Sequence, residues 1–237
     1  LILPLSGGQD SRILMAIAAH AGLSPDYVFS HVTNYNTLLD AQIAAEMCAV
    51  TGWHLATLDA MKPDEAIAMP PRRIYRYLRE AALARGRLNH AHPTRRREHQ
   101  MIQREMLATN ALPKGGVVMR GHVTDISKAV LWRNLGIRSF AKSGPEGVKD
   151  EVAASRLFHD RPELAANPWV QSQFGAWRKT LPKAADDRVI DFMGLELYRN
   201  YSLGFSFYGF WRNFYMAPGC DRQIIQHLVS APPLMRY

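Results

Sequence analysis

The apolar positions at the start of the chain set its organisation. Leu1-Ile2-Leu3-Pro4-Leu5 is an unbroken apolar run, the pattern of a strand buried on both faces of a parallel sheet. The run breaks into Ser6-Gly7-Gly8-Gln9-Asp10-Ser11-Arg12, and Ile13, Leu14, Ile17 and Ala18 then recur at helical spacing until Gly22. Tyr27 to Val32 alternates and is rich in β-branched and aromatic residues, which predicts a second strand. Asp40 suits the cap of the next helix, whose apolar positions Ile43, Ala44, Met47 and Val50 end at Gly52. Trp53 to Leu58 is the third predicted strand. Strands and helices alternating this early predict an α/β fold with a doubly wound parallel sheet, ordered 3-2-1-4 once a fourth strand joins.

That fourth strand is Val117 to Arg120, after Gly115-Gly116, with the stretch from Met61 to Asn110 predicted as helix. From Glu146 onward the pattern is helical again. Val152 to Phe158, Trp169 to Trp177 and Val189 to Leu203 are separated by Pro162, Pro168 and Pro182. Tyr198 to Tyr215 holds nine aromatic residues, suited to a core, to a pocket cover or to base stacking. Arg222 to Val229 reads as a helix with Asp221 as its cap. The expected division is an α/β part over residues 1–140, carrying a basic helical insert at about 62–110, and a helical part over 141–237 packed on it.

The break after the first strand carries the chemistry. A strand, a glycine turn and a helix N-terminus together present backbone N–H groups and a positive dipole end to an anion. Gly7 and Gly8 allow positive φ and close backbone approach, while Ser6 and Ser11 add hydroxyl donors. Asp10 stands out because a carboxylate repels phosphate unless a divalent cation lies between them, so Asp10 is a candidate magnesium ligand. Asp10 as a helix cap is the plainer alternative. No Gly-Lys-Ser/Thr follows, and the glycine spacing is not that of the dinucleotide fingerprint.

Leu5-Ser6-Gly7-Gly8-Gln9-Asp10-Ser11 resembles the Ser-Gly-Gly-x-Asp-Ser pyrophosphate loop of the N-type ATP pyrophosphatases, the PP-loop superfamily. With Leu3, Pro4 and Arg12 alongside, it is most similar to the asparagine synthetase C-terminal (synthetase) domain. The resemblance implies a Rossmann-like sheet of the adenine nucleotide alpha-hydrolase type, with ATP and Mg2+ as cofactors and Ser6, Gly7, Gly8, Gln9, Asp10 and Ser11 around the phosphates. It implies backbone contacts to adenine near Val32 and Thr33. It also implies an AMP-forming ligase, in which a small-molecule carboxylate such as aspartate or an analogue is adenylated and then attacked by ammonia or an amine. An upstream glutaminase domain would supply the ammonia, and the start at Leu1 inside a strand suggests that sequence upstream has been removed.

A second strand-to-helix corner lies at Gly121-His122-Val123-Thr124-Asp125, where the same family has Gly-Asp-Gly-Gly-Asp-Glu. Gly121 and Asp125 match; His122, Val123, Thr124 and Ile126 depart. Neighbouring first and fourth strands would bring Asp10 and Asp125 to one sheet edge, where both could hold the metal. Lys128 is placed on the helical face of Thr124 and Asp125, available to phosphate charge. As alternatives, Thr124 caps that helix and Asp125 complements its dipole. Pro218 and Asp221 match a Pro-Phe-Leu-Asp element of the family.

Composition changes this picture in two places. The chain of 237 residues carries a formal charge of +8, concentrated between Lys62 and Arg104, where eleven Lys and Arg face four Asp and Glu. The run includes Arg72, Arg73, Arg76, Arg79 and Arg95-Arg96-Arg97, and it keeps two other partners open, tRNA as in PP-loop modifying enzymes or an acidic domain. A solvated helix face is the plain alternative. The altered second corner keeps open a nucleotide-binding module without turnover. Cys48 and Cys220 are too few for a disulfide framework and fit reduced thiols, and no apolar run approaches about 18 residues, so the expectation is a cytoplasmic protein without a membrane span.

Overall fold

A computed structural model of the chain describes residues 1–59, 110–121, 128–134, 148–158, 162–199 and 212–236, together with positions 72, 76, 79 and 107. The described residues divide into two compact units, Leu1–Gly121 with Gly204–Pro218, and His122–Leu203 with Gly219–Tyr237. No described helix is long and apolar enough to cross a membrane.

The first unit is built on a five-stranded sheet, every pair parallel, in the order β3-β2-β1-β4-β5. Its strands are β1 (Ile2–Pro4), β2 (Tyr27–Val32), β3 (Leu55–Asp59), β4 (Val117–Met119) and β5 (Phe214–Met216). The order is that of a doubly wound sheet, with β1 at the centre, as its uninterrupted apolar run requires. Side-chain alternation sorts the core into two faces. Leu3 pairs with Val28, and these join Leu5, Met119, Leu14, Met15, Ala18, Ala44 and Cys48 on one side. Ile2 pairs with Tyr27 and Val118, and the opposite side collects Phe29, Leu58 and Leu112. Phe29, Ile2 and Leu3 are among the largest fully buried side chains, each contributing about 1.5–3 kcal/mol relative to exposure.

Helices α1 (Gln9–His20) and α2 (Tyr35–Thr51) cover the Leu3 face. Gly22 at φ 66° and Gly52 at φ 73° stop them in the left-handed conformation that glycine adopts without strain. The start of α2 differs from expectation: the helix begins five residues before Asp40. Asn34 caps it, accepting the Thr37 N–H at 3.0 Å, while the Thr37 hydroxyl accepts the Asn34 N–H at 2.9 Å. This reciprocal box satisfies two helix-start donors at once. Asp40 is therefore an interior residue of α2, not its cap.

A sheet of about five strands was expected, and the source of the fifth is the second correction. Phe214–Met216 comes from the part expected to be helical, at the end of the aromatic run, and pairs with β4 from Val117↔Phe214 to Met119↔Met216. The Asn213 side chain, 8% exposed, accepts the Gly116 N–H at 3.0 Å and so ties the starts of the two strands together.

The second unit is helical among its described residues: α3 (Val130–Asn134), α4 (Asp150–Leu157), α5 (Pro162–Ala165), α6 (Pro168–Arg178), α7 (Val189–Met193) and α8 (Arg222–Ser230). Its core gathers Trp132, Val148, Ala153, Ala154, Phe174, Val189, Ile190 and Met193. Asn167 caps α6 and Asp221 caps α8, the latter accepting the Gln223 and Ile224 N–H groups at 2.9 and 3.2 Å. Among the described residues of this unit is a buried charge pair. Asp191 and Arg236 have side chains 4% exposed, with Arg236 Nη1 and Nη2 at 3.1 and 2.5 Å from the Asp191 carboxylate, which also accepts the Trp132 indole N–H at 3.1 Å. Cys48 is buried and Cys220 exposed, and neither takes part in a disulfide. Burial pushes the Cys48 thiol upward from its ordinary pKa and keeps it protonated.

Candidate phosphate-binding loop

The turn between β1 and α1 is shorter than the sequence pattern indicates. Gln9, Asp10 and Ser11 already belong to the first turn of α1, so the loop proper is Ser6-Gly7-Gly8. The Gly8 C=O opens the helix by accepting the Arg12 N–H at 3.3 Å, and no side chain caps α1. The first-turn N–H groups of Gln9, Asp10 and Ser11 are those a helix leaves without an intrahelical partner. With the helix dipole behind them they make a candidate anion-binding end.

Ser11 holds the loop in shape. Its Oγ lies 2.9 Å from the Ser6 C=O and 3.0 Å from the Gly8 C=O, to which it donates, and it accepts the Ser6 N–H at 3.1 Å. The Ser6 hydroxyl, 3.0 Å from Ser11 Oγ, accepts the Gly8 N–H at 3.2 Å. Both serines therefore work as internal struts, and a ligand oxygen at Gly8 N–H would replace the Ser6 hydroxyl.

Of the two reasons expected for the glycines, close approach holds and positive φ does not. Neither Gly7 nor Gly8 has positive φ; Gly8 sits at φ −67° and ψ 145°. Close approach is what excludes a side chain. A Cβ on Gly7 would lie 2.7 Å from Asp40 Oδ1 and 2.9 Å from Ile43 Cδ1, so the second turn of α2 presses on the loop. A Cβ on Gly8 would lie 3.1 Å from Ser6 Oγ. Asp40, expected to be a helix cap, is thus a half-buried carboxylate beside the Ser6-Gly7-Gly8 turn. No group among the described residues donates a hydrogen bond to it.

The second corner reaches the same place. Gly121, two residues past the end of β4, lies so close to α1 that a Cβ would stand 2.9 Å from Asp10 Cβ, 3.2 Å from its carbonyl carbon and 3.3 Å from its carbonyl oxygen. In open α/β sheets the loops at the carboxyl ends of neighbouring central strands are where ligands bind, and β1 and β4 are such neighbours. Because the opposing atoms include backbone, Gly121→Ala cannot be absorbed by a rotamer change and should cost about 1–3 kcal/mol. Gly7→Ala meets chiefly side-chain ends and should cost less. Urea unfolding of the two variants checks the ranking, and equal costs would contradict it.

The remaining candidates are placed as follows. Val32 is buried at the end of β2, and the Thr33 N–H donates to Thr37 Oγ1 at 2.8 Å, so this amide serves the start of α2. Gln9 is exposed and Asp10 half-buried. Asp125 lies outside the described residues, as do His122 to Ile126. Lys128 stands in a turn, and Ala129 follows at φ 46° before α3 begins; its expected helical face with Thr124 and Asp125 lies outside the described residues. Of the basic segment, Arg72, Arg76 and Arg79 are described, each helical and exposed, while Arg73 and Arg95-Arg96-Arg97 lie outside the described residues.

The donors present bear on how a magnesium ion could be held. Among the described residues no group of three or more His, Cys, Asp or Glu side chains could cage a metal ion. Mg2+ seldom uses such a cage; it is held by one or two carboxylates and substrate phosphates while keeping several waters. Asp10 in the first turn of α1, with an oxygen-rich loop beside it, fits that mode. No protein-family model, curated protein or solved structure matches the chain.

Proposed function

We propose that the first unit binds ATP with its triphosphate on the Ser6–Ser11 loop and transfers the adenylyl group to a carboxylate, releasing pyrophosphate. The protein would then be an AMP-forming carbon–nitrogen ligase of the asparagine synthetase type, with ammonia or an amine displacing AMP from the acyl-adenylate. What supports this most is the coincidence of three features at the β1/β4 crevice: an uncapped α1 N-terminus, a strutted Ser-Gly-Gly turn and Asp10 wedged against Gly121.

The roles follow from position. Backbone N–H groups of Gly8 to Ser11 and the dipole of α1 stabilise charge that builds on the departing pyrophosphate, and because they are held by Ser11 they need little reorganisation as it leaves. Ser6 Oγ hands over the Gly8 N–H to a phosphate oxygen and can then donate to it. Asp10 would hold Mg2+, which when bound offsets phosphate charge and favours release of pyrophosphate.

The test is pyrophosphate release from ATP with Mg2+, scanned over aspartate and other amino acids with ammonia present. Release that depends on one carboxylate, together with AMP in equal amount, is the expected result. ADP in place of AMP, or no release with any carboxylate, would overturn the ligase assignment.

A further inference from the structure

Asp40 sits where an anion site has no evident use for it. Its Oδ1 stands 2.7 Å from the position a Gly7 Cβ would take, beside the turn whose amides are to receive phosphate. It is not needed to start α2, because Asn34 and Thr37 already do that. Its carboxylate has no described hydrogen-bond donor, and it lies on a different element from Asp10, brought to the loop by the β1-α1-β2-α2 crossover. A fixed negative charge this close to the loop repels bare phosphate and attracts a cation that accompanies it.

We propose that Asp40 makes the loop selective for cation-bound over bare phosphate, coupling pyrophosphate or nucleotide binding to the divalent ion. The inference rests on the phosphate-loop assignment above and adds a specificity-determining residue to it. Asp10 and Asp40 then differ in role. Asp10 holds the ion, whereas the Asp40 charge penalises any phosphate arriving without one. The β2-to-α2 connection sets this geometry: α2 begins at Tyr35, its second turn reaches the loop, and Gly7 leaves room for the carboxylate.

The experiment is equilibrium binding of inorganic pyrophosphate to the full chain at constant ionic strength, once with Mg2+ and once with EDTA, for wild type, Asp40→Asn and Asp40→Glu. Wild type should bind more tightly with Mg2+. In Asp40→Asn, affinity in EDTA should rise about tenfold, so that the ratio between the two conditions shrinks, whereas Asp40→Glu, which keeps the charge, should retain most of the ratio. Thermal unfolding confirms that each variant is folded. A wild-type ratio retained in Asp40→Asn, including the case where both affinities fall together, would make Asp40 a packing residue and sink the inference while leaving the loop assignment intact. Absence of pyrophosphate binding by wild type in both conditions would take down the loop assignment and the inference with it.

Discussion

Asp10→Asn should lower Mg2+-dependent ATP turnover by at least about a hundredfold while the protein stays folded. Asp10 is the second residue of α1 and is half-buried, so the amide fits where the carboxylate was and opens no cavity. What is lost is the charge that would hold the cation. The favourable contact of that carboxylate with the α1 dipole is lost too, but it is worth only about 0.3–1 kcal/mol, too little to unfold the unit. Turnover measured against Mg2+ concentration, alongside a thermal melt, separates the two contributions. Turnover like that of wild type would remove Asp10 from the metal site and leave it as a helix-terminus charge.

Asp191→Ala should destabilise the second unit by about 3–5 kcal/mol. Asp191 is the acceptor for the Arg236 guanidinium and for the Trp132 indole, and the side chains of Asp191 and Arg236 are each only 4% exposed. Truncation takes the carboxylate away from a buried cation, whose Nε still donates to the Ala231 C=O at 2.9 Å, and from a buried indole N–H, and that loss, not the value of the ion pair, dominates the cost. Replacing both charged partners by apolar residues, Asp191→Leu with Arg236→Met, should therefore cost much less than the sum of the two single changes. Urea unfolding of the four proteins gives the coupling. Additive costs would mean that the pair is solvated in solution.

Several elements were legible along the chain because their signals are local. A continuous apolar run marks a central parallel strand, and glycine at the end of an apolar helical stripe marks its stop; β1, β2, Gly22 and Gly52 are all of this kind. The α2 start was not, because its box uses Thr37 where Glu or Gln is usual, and Asp40 offered a more familiar cap. The fifth strand was hidden for another reason. Phe214-Tyr215-Met216 is three residues long, too short for periodicity to show, and it becomes a strand only because β4 offers an unpaired edge.

The candidate site divides the same way. The Ser6–Ser11 pattern alone determined where an anion could be held, since a strand, a glycine turn and a helix start follow one another in sequence and need no distant contact to form that geometry. Why its glycines are there, and what else reaches the loop, was decided by tertiary structure. Gly7 is small because α2 brings Asp40 and Ile43 against it, and Gly121 is small because β4 lies beside β1 and its corner abuts Asp10. These contacts join residues about 33 and 111 positions apart, and no local pattern encodes them. They exist because side-chain alternation buries both faces of the sheet, which fixes the parallel order β2-β1-β4 and with it which loops meet at the edge.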